Sequence, residues 1–129
     1  MQTSLTIGLY KTVEDIMFFI ESSHTGSEDP LEFLKNRKAG AQETAKKAKE
    51  KGGDAMLSYY HFAAKDKPYA EVIRTFKNEG LETAIKLCKK EYKRLMKETD
   101  LDMSQKDYQA IVGRIEVYGE CYIRLIKER

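Results

Sequence analysis

The chain has 129 residues, of which 41% are hydrophobic and 34% are charged, and its formal net charge is +2. A chain of this length fits a single domain, residues 1–129, and can bury a cooperative core without disulfides or a metal. Its longest strongly apolar run has five residues, which excludes a transmembrane span and membrane partners, and its first residues lack a secretion signal. We therefore expect a cytoplasmic protein in which Cys88 and Cys121 are buried thiols.

The first predicted element is a helix over about residues 4–23, where apolar side chains recur at helical spacing. A second interpretation stays open, in which a short extended arm precedes a helix capped by Thr12. Residues 24–29 are predicted to form a loop because they are rich in Ser, Thr and Gly.

The second predicted helix begins at Asp29-Pro30, with the aspartate as N-cap and the proline at the first helical position. Small or apolar residues then recur every seven positions, a period that predicts one long helix to about Ala64, packed closely on another. The helix is expected to run through Gly52-Gly53, with Gly52 explained by the close approach of a bulky neighbour, and Gly119 by the same argument. The two tracks comprise Leu34, Ala41, Ala48, Ala55 and Phe62, and beside them Ala45, Gly52 and Tyr59.

A short turn at residues 65–68 is predicted to join this helix to a third, which carries apolar residues from Tyr69 to Leu95. The phase of its stripe changes at Gly80, where we expect a kink and not a complete break. A loop at residues 100–103 follows, and Ser104 is expected to cap the last helix, which extends to about Ile126.

These elements predict an all-α antiparallel bundle of about four helices with a long central helical hairpin. Because that hairpin is longer than the first and last helices, part of its apolar stripe would remain uncovered. A second copy of the chain would cover it, so a homodimer is one expected assembly.

Charge is distributed unevenly along the chain. Residues 35–51 contain seven Lys or Arg against two Glu, residues 80–97 contain six against two, and residues 1–34 contain one against six acids. In the predicted hairpin, position 47 lies opposite about position 86, so the two basic segments form one patch for nucleic acid or another polyanion. Solvated helix faces, or neutralisation by the acidic first helix, are the alternatives. The candidate anion-binding residues are Lys46, Lys47, Lys49, Lys86, Lys89, Lys90, Lys93 and Arg94.

The sequence contains one weak metal-binding pattern. Glu21 and His24 have the E-x-x-H spacing of carboxylate-bridged di-iron bundles, but that pattern occurs once where such sites need two. Glu116 and Glu120 could be imagined as partners, yet their positions flank the apolar stripe of the last helix. His61 has no Cys or Asp at a useful spacing and is expected to be partly buried and hydrogen-bonded. We therefore assign no metal, cofactor or catalytic residue.

Three functions from different classes remain as hypotheses. The first is a non-catalytic interaction or adaptor protein that acts through protein contacts, including self-association. The second is a polyanion or nucleic-acid binding module that uses the basic hairpin face. The third is a carboxylate and histidine metal-binding bundle, which would open the way to an enzymatic role.

Overall fold

The structure, a computed structural model, describes residues 29–99 and 102–129. Within these residues the chain forms five α-helices: α1 (Pro30–Lys51), α2 (Met56–Ala63), α3 (Asp66–Glu79), α4 (Leu81–Glu98) and α5 (Gln105–Ile126). One short 3-10 helix, Gly53–Ala55, connects α1 to α2. The prediction of an all-α bundle is confirmed. The expected first helix or arm, its cap and the loop after it lie outside the described residues.

The helix starts predicted from capping patterns are confirmed. The Asp29 carboxylate accepts hydrogen bonds from the amides of Leu31 and Glu32, and Pro30 occupies the first position of α1. The Ser104 hydroxyl accepts a hydrogen bond from the amide of Asp107 at the start of α5. These caps satisfy amide groups that have no partner within their own helix.

The predicted continuity of the second helix is wrong, because α1 ends at Lys51. Gly52 and Gly53 have φ angles of +69° and +58°, a left-handed conformation that glycine adopts without a steric penalty. The chain reverses there, and α2 packs back along α1. No heavy atom among those described lies within 4 Å of where a Cβ would stand at Gly52, so its backbone conformation accounts for the glycine and the predicted bulky neighbour does not.

Gly80 interrupts the third predicted helix more completely than the expected kink. Its φ of +95° and ψ of 176° are far from helical values, and α3 ends at Glu79 while α4 begins at Leu81. The amide of Gly80 still donates to the carbonyl of Phe76, and its own carbonyl accepts from the amide of Ala84. Gly80 therefore ends one helix and begins the next with its backbone groups satisfied.

Helix α5 is the centre of the bundle. It packs against α2, α3 and α4, and most of its side chains are buried. Its apolar residues join those of α1, α3 and α4 in one core that includes Leu34, Val72, Cys88 and Leu125. Both cysteines are free and fully buried. In the described part of the chain, no helix combines the length and apolar composition needed to cross a membrane.

Candidate anion-binding surface and buried ionic cluster

Helix α4 has three carboxylates, and each of them is bound by an arginine. Arg94 donates to Glu91 at 2.6 Å and to Glu98 at 2.6 Å, and Arg129 donates to Glu82 at 2.9 Å. The hydrogen bonds from Arg129 hold the pKa of Glu82 below its ordinary value. The acidic groups of α4 are thus already engaged by arginines.

The lysines of α4 form no salt bridge with any described residue, although the charge of Lys86 also contributes to the low pKa of Glu82. Among the described residues, none forms a salt bridge with Lys86, Lys89, Lys90, Lys93 or Lys97, and all five lysines are exposed. Four of them share the outward face of the helix, because Lys86, Lys90, Lys93 and Lys97 recur at intervals of four, three and four residues. At 1.5 Å per residue this row, the α4 lysine row, extends for about 16 Å.

A basic groove of about 540 Å³ lies beside this row, where α3, α4 and α5 meet. Arg94 contributes to it from α4, Lys67 and Arg74 from α3, and Arg114 from α5, and all four side chains are exposed. No described residue forms an ion pair with Lys67, Arg74 or Arg114. We call this groove, with its four cations, the basic groove.

The two carboxylates that line the basic groove are both engaged. Glu71 accepts a hydrogen bond of 2.6 Å from the Tyr118 hydroxyl, and Glu91 is held by Arg94. Burial, and then the bond to Glu71, raises the pKa of Tyr118, so this hydroxyl stays protonated and continues to donate. The groove therefore has four cations and two carboxylates, and both carboxylates are already hydrogen-bonded. Its net charge is positive.

The structure does not bring the predicted basic segments together in one patch. Lys49 lies over the ring of Tyr59 on α2, and the neighbouring Tyr60 contacts Lys106 in the first turn of α5. Lys86 lies one turn from Glu82, which binds Arg129 beyond the other end of α5. Since α5 has 22 residues, these ends are about 33 Å apart. The expected pairing of positions 47 and 86 is wrong because the chain turns at Gly52.

A buried ionic cluster occupies the opposite side of α5. The Glu116 carboxylate lies 2.9 Å from His61 Nε2 and 3.0 Å from Lys65 Nζ, and the side chains of His61 and Lys65 are only 6% and 9% exposed. Burial raises the pKa of Glu116, but the hydrogen bond from His61 and the charge of Lys65 outweigh it, so this pKa lies below its ordinary value. Glu116 is therefore an ionised carboxylate held between two donors.

One helical turn further along α5, Glu120 has a second pair of donors. The Tyr69 hydroxyl donates to it at 2.8 Å, and the Arg37 guanidinium lies 2.6 Å away. Burial and then the charge of Glu120 raise the pKa of Tyr69 well above its ordinary value. The two carboxylates thus connect α5 to α1, to α2 and to the start of α3.

Sequence reasoning placed Glu116 and Glu120 on the flanks of an apolar stripe, pointing away from the interior, and this is wrong. The turn at Gly52 brings α2 against that flank and buries it. The expected hydrogen bond of His61 is confirmed, and the side chain is buried more completely than the partial burial that was predicted. No group of three or more metal-ligating side chains occurs in the described residues, and Glu21 and His24 lie outside them.

The fold and these sites define an all-α helical bundle with a lysine-rich face on α4 and a buried ionic cluster on the opposite side of α5. No protein-family model, curated protein or solved structure matches the chain.

Proposed function

We propose that this protein is a non-catalytic binding module whose ligand is the phosphate backbone of a nucleic acid. The observation that carries the proposal is the charge arrangement around α4. Its carboxylates are bound by arginines, while the α4 lysine row and three cations of the basic groove have no ion pair within the described part of the chain. Unpaired Lys and Arg along one helix are the usual electrostatic footprint of phosphate binding.

The chemistry of the surface favours contacts to the backbone over reading of bases. Its exposed groups are Lys and Arg, and the aromatic side chain in the groove, Tyr118, is 4% exposed with its hydroxyl committed to Glu71. A buried ring cannot stack on a base, so the surface offers charge without a stacking platform. We therefore expect little dependence on sequence and a strong dependence on salt.

The direct test is fluorescence anisotropy with a short labelled DNA duplex and the RNA duplex of the same sequence, measured over a series of salt concentrations. The double variant K90E/K93E reverses two charges of the α4 lysine row. It should weaken binding at low salt by about tenfold or more and reduce the slope of log K against log salt by about two. A separate variant, R74E/R114E, tests the basic groove in the same way.

The double variant K46E/K47E on α1 is the matched control, because it makes the same change in net charge at two exposed lysines. If both double variants weaken binding equally, net charge and not the α4 surface is responsible. Undetectable binding to either duplex at low salt contradicts the proposed function. Equal affinity for polyglutamate identifies the ligand as an acidic protein and contradicts the nucleic-acid assignment.

The adaptor hypothesis has less support from the described residues. Within residues 29–99 and 102–129, Leu57 is the one large hydrophobic side chain that is exposed. A protein-docking surface ordinarily centres on buried aromatic or aliphatic anchors, and a single leucine offers one such anchor. Light scattering of the free protein tests self-association, and a dimer disrupted by L57E would favour the adaptor function.

A cytoplasmic location is part of the proposal. The buried thiols of Cys88 and Cys121 lie near each other across the α4–α5 contact, and both cysteines are free. Adjacent free thiols fit a reducing compartment, where nucleic acid is also accessible.

A further inference from the structure

A second cavity, of about 200 Å³, lies between α1 and the turn that joins α2 to α3, away from the basic groove. Its walls combine charged, polar and apolar groups. Arg37 and Lys65 provide cations, Asn36 and Thr44 provide polar groups, and Ala41 and Phe62 provide apolar surface. None of the described residues that line the cavity is acidic.

Each cation is bound by a carboxylate of the buried ionic cluster that lies outside the cavity. Lys65 Nζ is 3.0 Å from Glu116, and the Arg37 guanidinium is 2.6 Å from Glu120, but neither carboxylate lines the cavity. An ammonium group has three N–H donors and a guanidinium has five, so these contacts leave donors available. The cavity therefore has cations fixed in position before any ligand arrives, which lowers the entropy lost on binding.

We propose that this cavity binds a small organic carboxylate. The planar guanidinium of Arg37 matches the two oxygens of a carboxylate, and Lys65 adds a second charge-assisted donor. The hydrocarbon part of the ligand lies against Ala41 and Phe62. The volume is below the range of about 300–1,000 Å³ for drug-sized ligands, so the ligand is about the size of benzoate. This site is separate from the nucleic-acid surface, and either proposal can fail without the other.

The test is a titration of the full chain with benzoate, followed by two-dimensional NMR and calorimetry, with benzamide and inorganic phosphate as comparison probes. Benzoate should bind saturably and shift the side-chain resonance of Arg37. Benzamide has the same shape without the charge, and phosphate has the charge without the apolar body, so both should bind at least about tenfold more weakly.

Gly40 offers a way to fill the cavity without removing a charge. It lines the cavity, and the space where its Cβ would stand is empty within 4 Å of the described atoms. The variant G40L should fold and lose benzoate binding, while A39L, at an exposed neighbouring position of α1, should bind as the wild type does. R37K keeps the charge but loses the planar guanidinium group, which can form two parallel hydrogen bonds to a carboxylate. This variant should therefore bind benzoate about tenfold more weakly.

Three results would overturn the proposal. The first is the absence of saturable benzoate binding to the wild-type protein. The second is unchanged binding by G40L, which would place the ligand elsewhere. The third is phosphate binding as tight as that of benzoate, which would mean that the apolar wall makes no contribution and that the ligand is a simple anion.

Discussion

Gly113 on α5 lies directly against the backbone carbonyl of His61 on α2. A Cβ atom at position 113 would collide with that oxygen, and the rest of the His61 backbone is also in contact. The absence of a side chain at this position lets the two helices approach closely enough for His61 to reach Glu116. Close helix packing at a glycine, which the sequence analysis predicted at Gly52, therefore occurs at Gly113.

We expect Gly113→Ala to destabilise the protein by about 2 kcal/mol or more, because the added methyl group must push α2 away from α5. Urea denaturation followed by circular dichroism measures this. Gly40→Ala is the matched control: it places the same methyl group in open space within α1 and should stabilise the protein by up to about 1 kcal/mol. Equal effects of the two substitutions would contradict the close contact.

Gly52 and Gly53 provide a test of the turn between α1 and α2. Because both have positive φ angles, Gly52→Ala and Gly53→Ala should each destabilise the protein by about 1–2 kcal/mol. If α1 instead continued through these residues, each alanine would stabilise the helix by about 1 kcal/mol. The sign of the change in unfolding free energy therefore distinguishes the two structures.

Glu116→Gln should reveal the contribution of the buried ionic cluster. The amide has nearly the same shape but no charge, so Lys65 stays buried without its counter-ion, at a cost of about 3 kcal/mol at neutral pH. Arg94→Gln, which breaks two exposed ion pairs, is the comparison and should cost about 1 kcal/mol or less. Denaturation in urea at pH 7 compares the two variants.

The same carboxylate predicts a dependence on pH. The pKa of Glu116 in the folded protein lies below its ordinary value of 4.5, so folding favours the ionised form. Its contribution is fully present above about pH 4.5 and is lost as the pH falls through the lower, folded pKa. The stability difference between the wild type and Glu116→Gln should therefore narrow below pH 4.5, and a gap that stays constant down to acid unfolding would contradict the assignment.

The two tyrosine–carboxylate bonds should contribute unequally. Tyr69 is 1% exposed and its hydroxyl donates to the buried Glu120, so Tyr69→Phe should cost about 1.5–3 kcal/mol, the value of a hydrogen bond to a charged group. Water can replace the hydroxyl of Tyr118 at the half-buried Glu71, so Tyr118→Phe should cost less than about 1 kcal/mol. Tyr118→Phe should also weaken DNA binding slightly. The Glu71 carboxylate would lose the hydrogen bond that partly offsets its negative charge, and so would repel phosphate from the basic groove more strongly.

Features that depend on residues close together in the chain could be predicted from the sequence alone. Asp29-Pro30 and Ser104 predicted two helix starts correctly, because a cap joins a side chain to amides two or three residues away. The apolar period also indicated the all-α class. The same period was misleading at Gly52: a seven-residue repeat of small residues describes a buried stripe on each side of a turn as well as it describes one continuous helix.

Contacts between residues far apart in the chain depend on how the helices pack. Glu116 and His61 are separated by 55 positions, and their contact depends on the turn at Gly52 and on the missing side chain of Gly113. The same turn sends the lysines of α1 and α4 to different parts of the bundle. No local pattern records such contacts, because burial of a charged side chain becomes favourable only when the whole bundle supplies its partner.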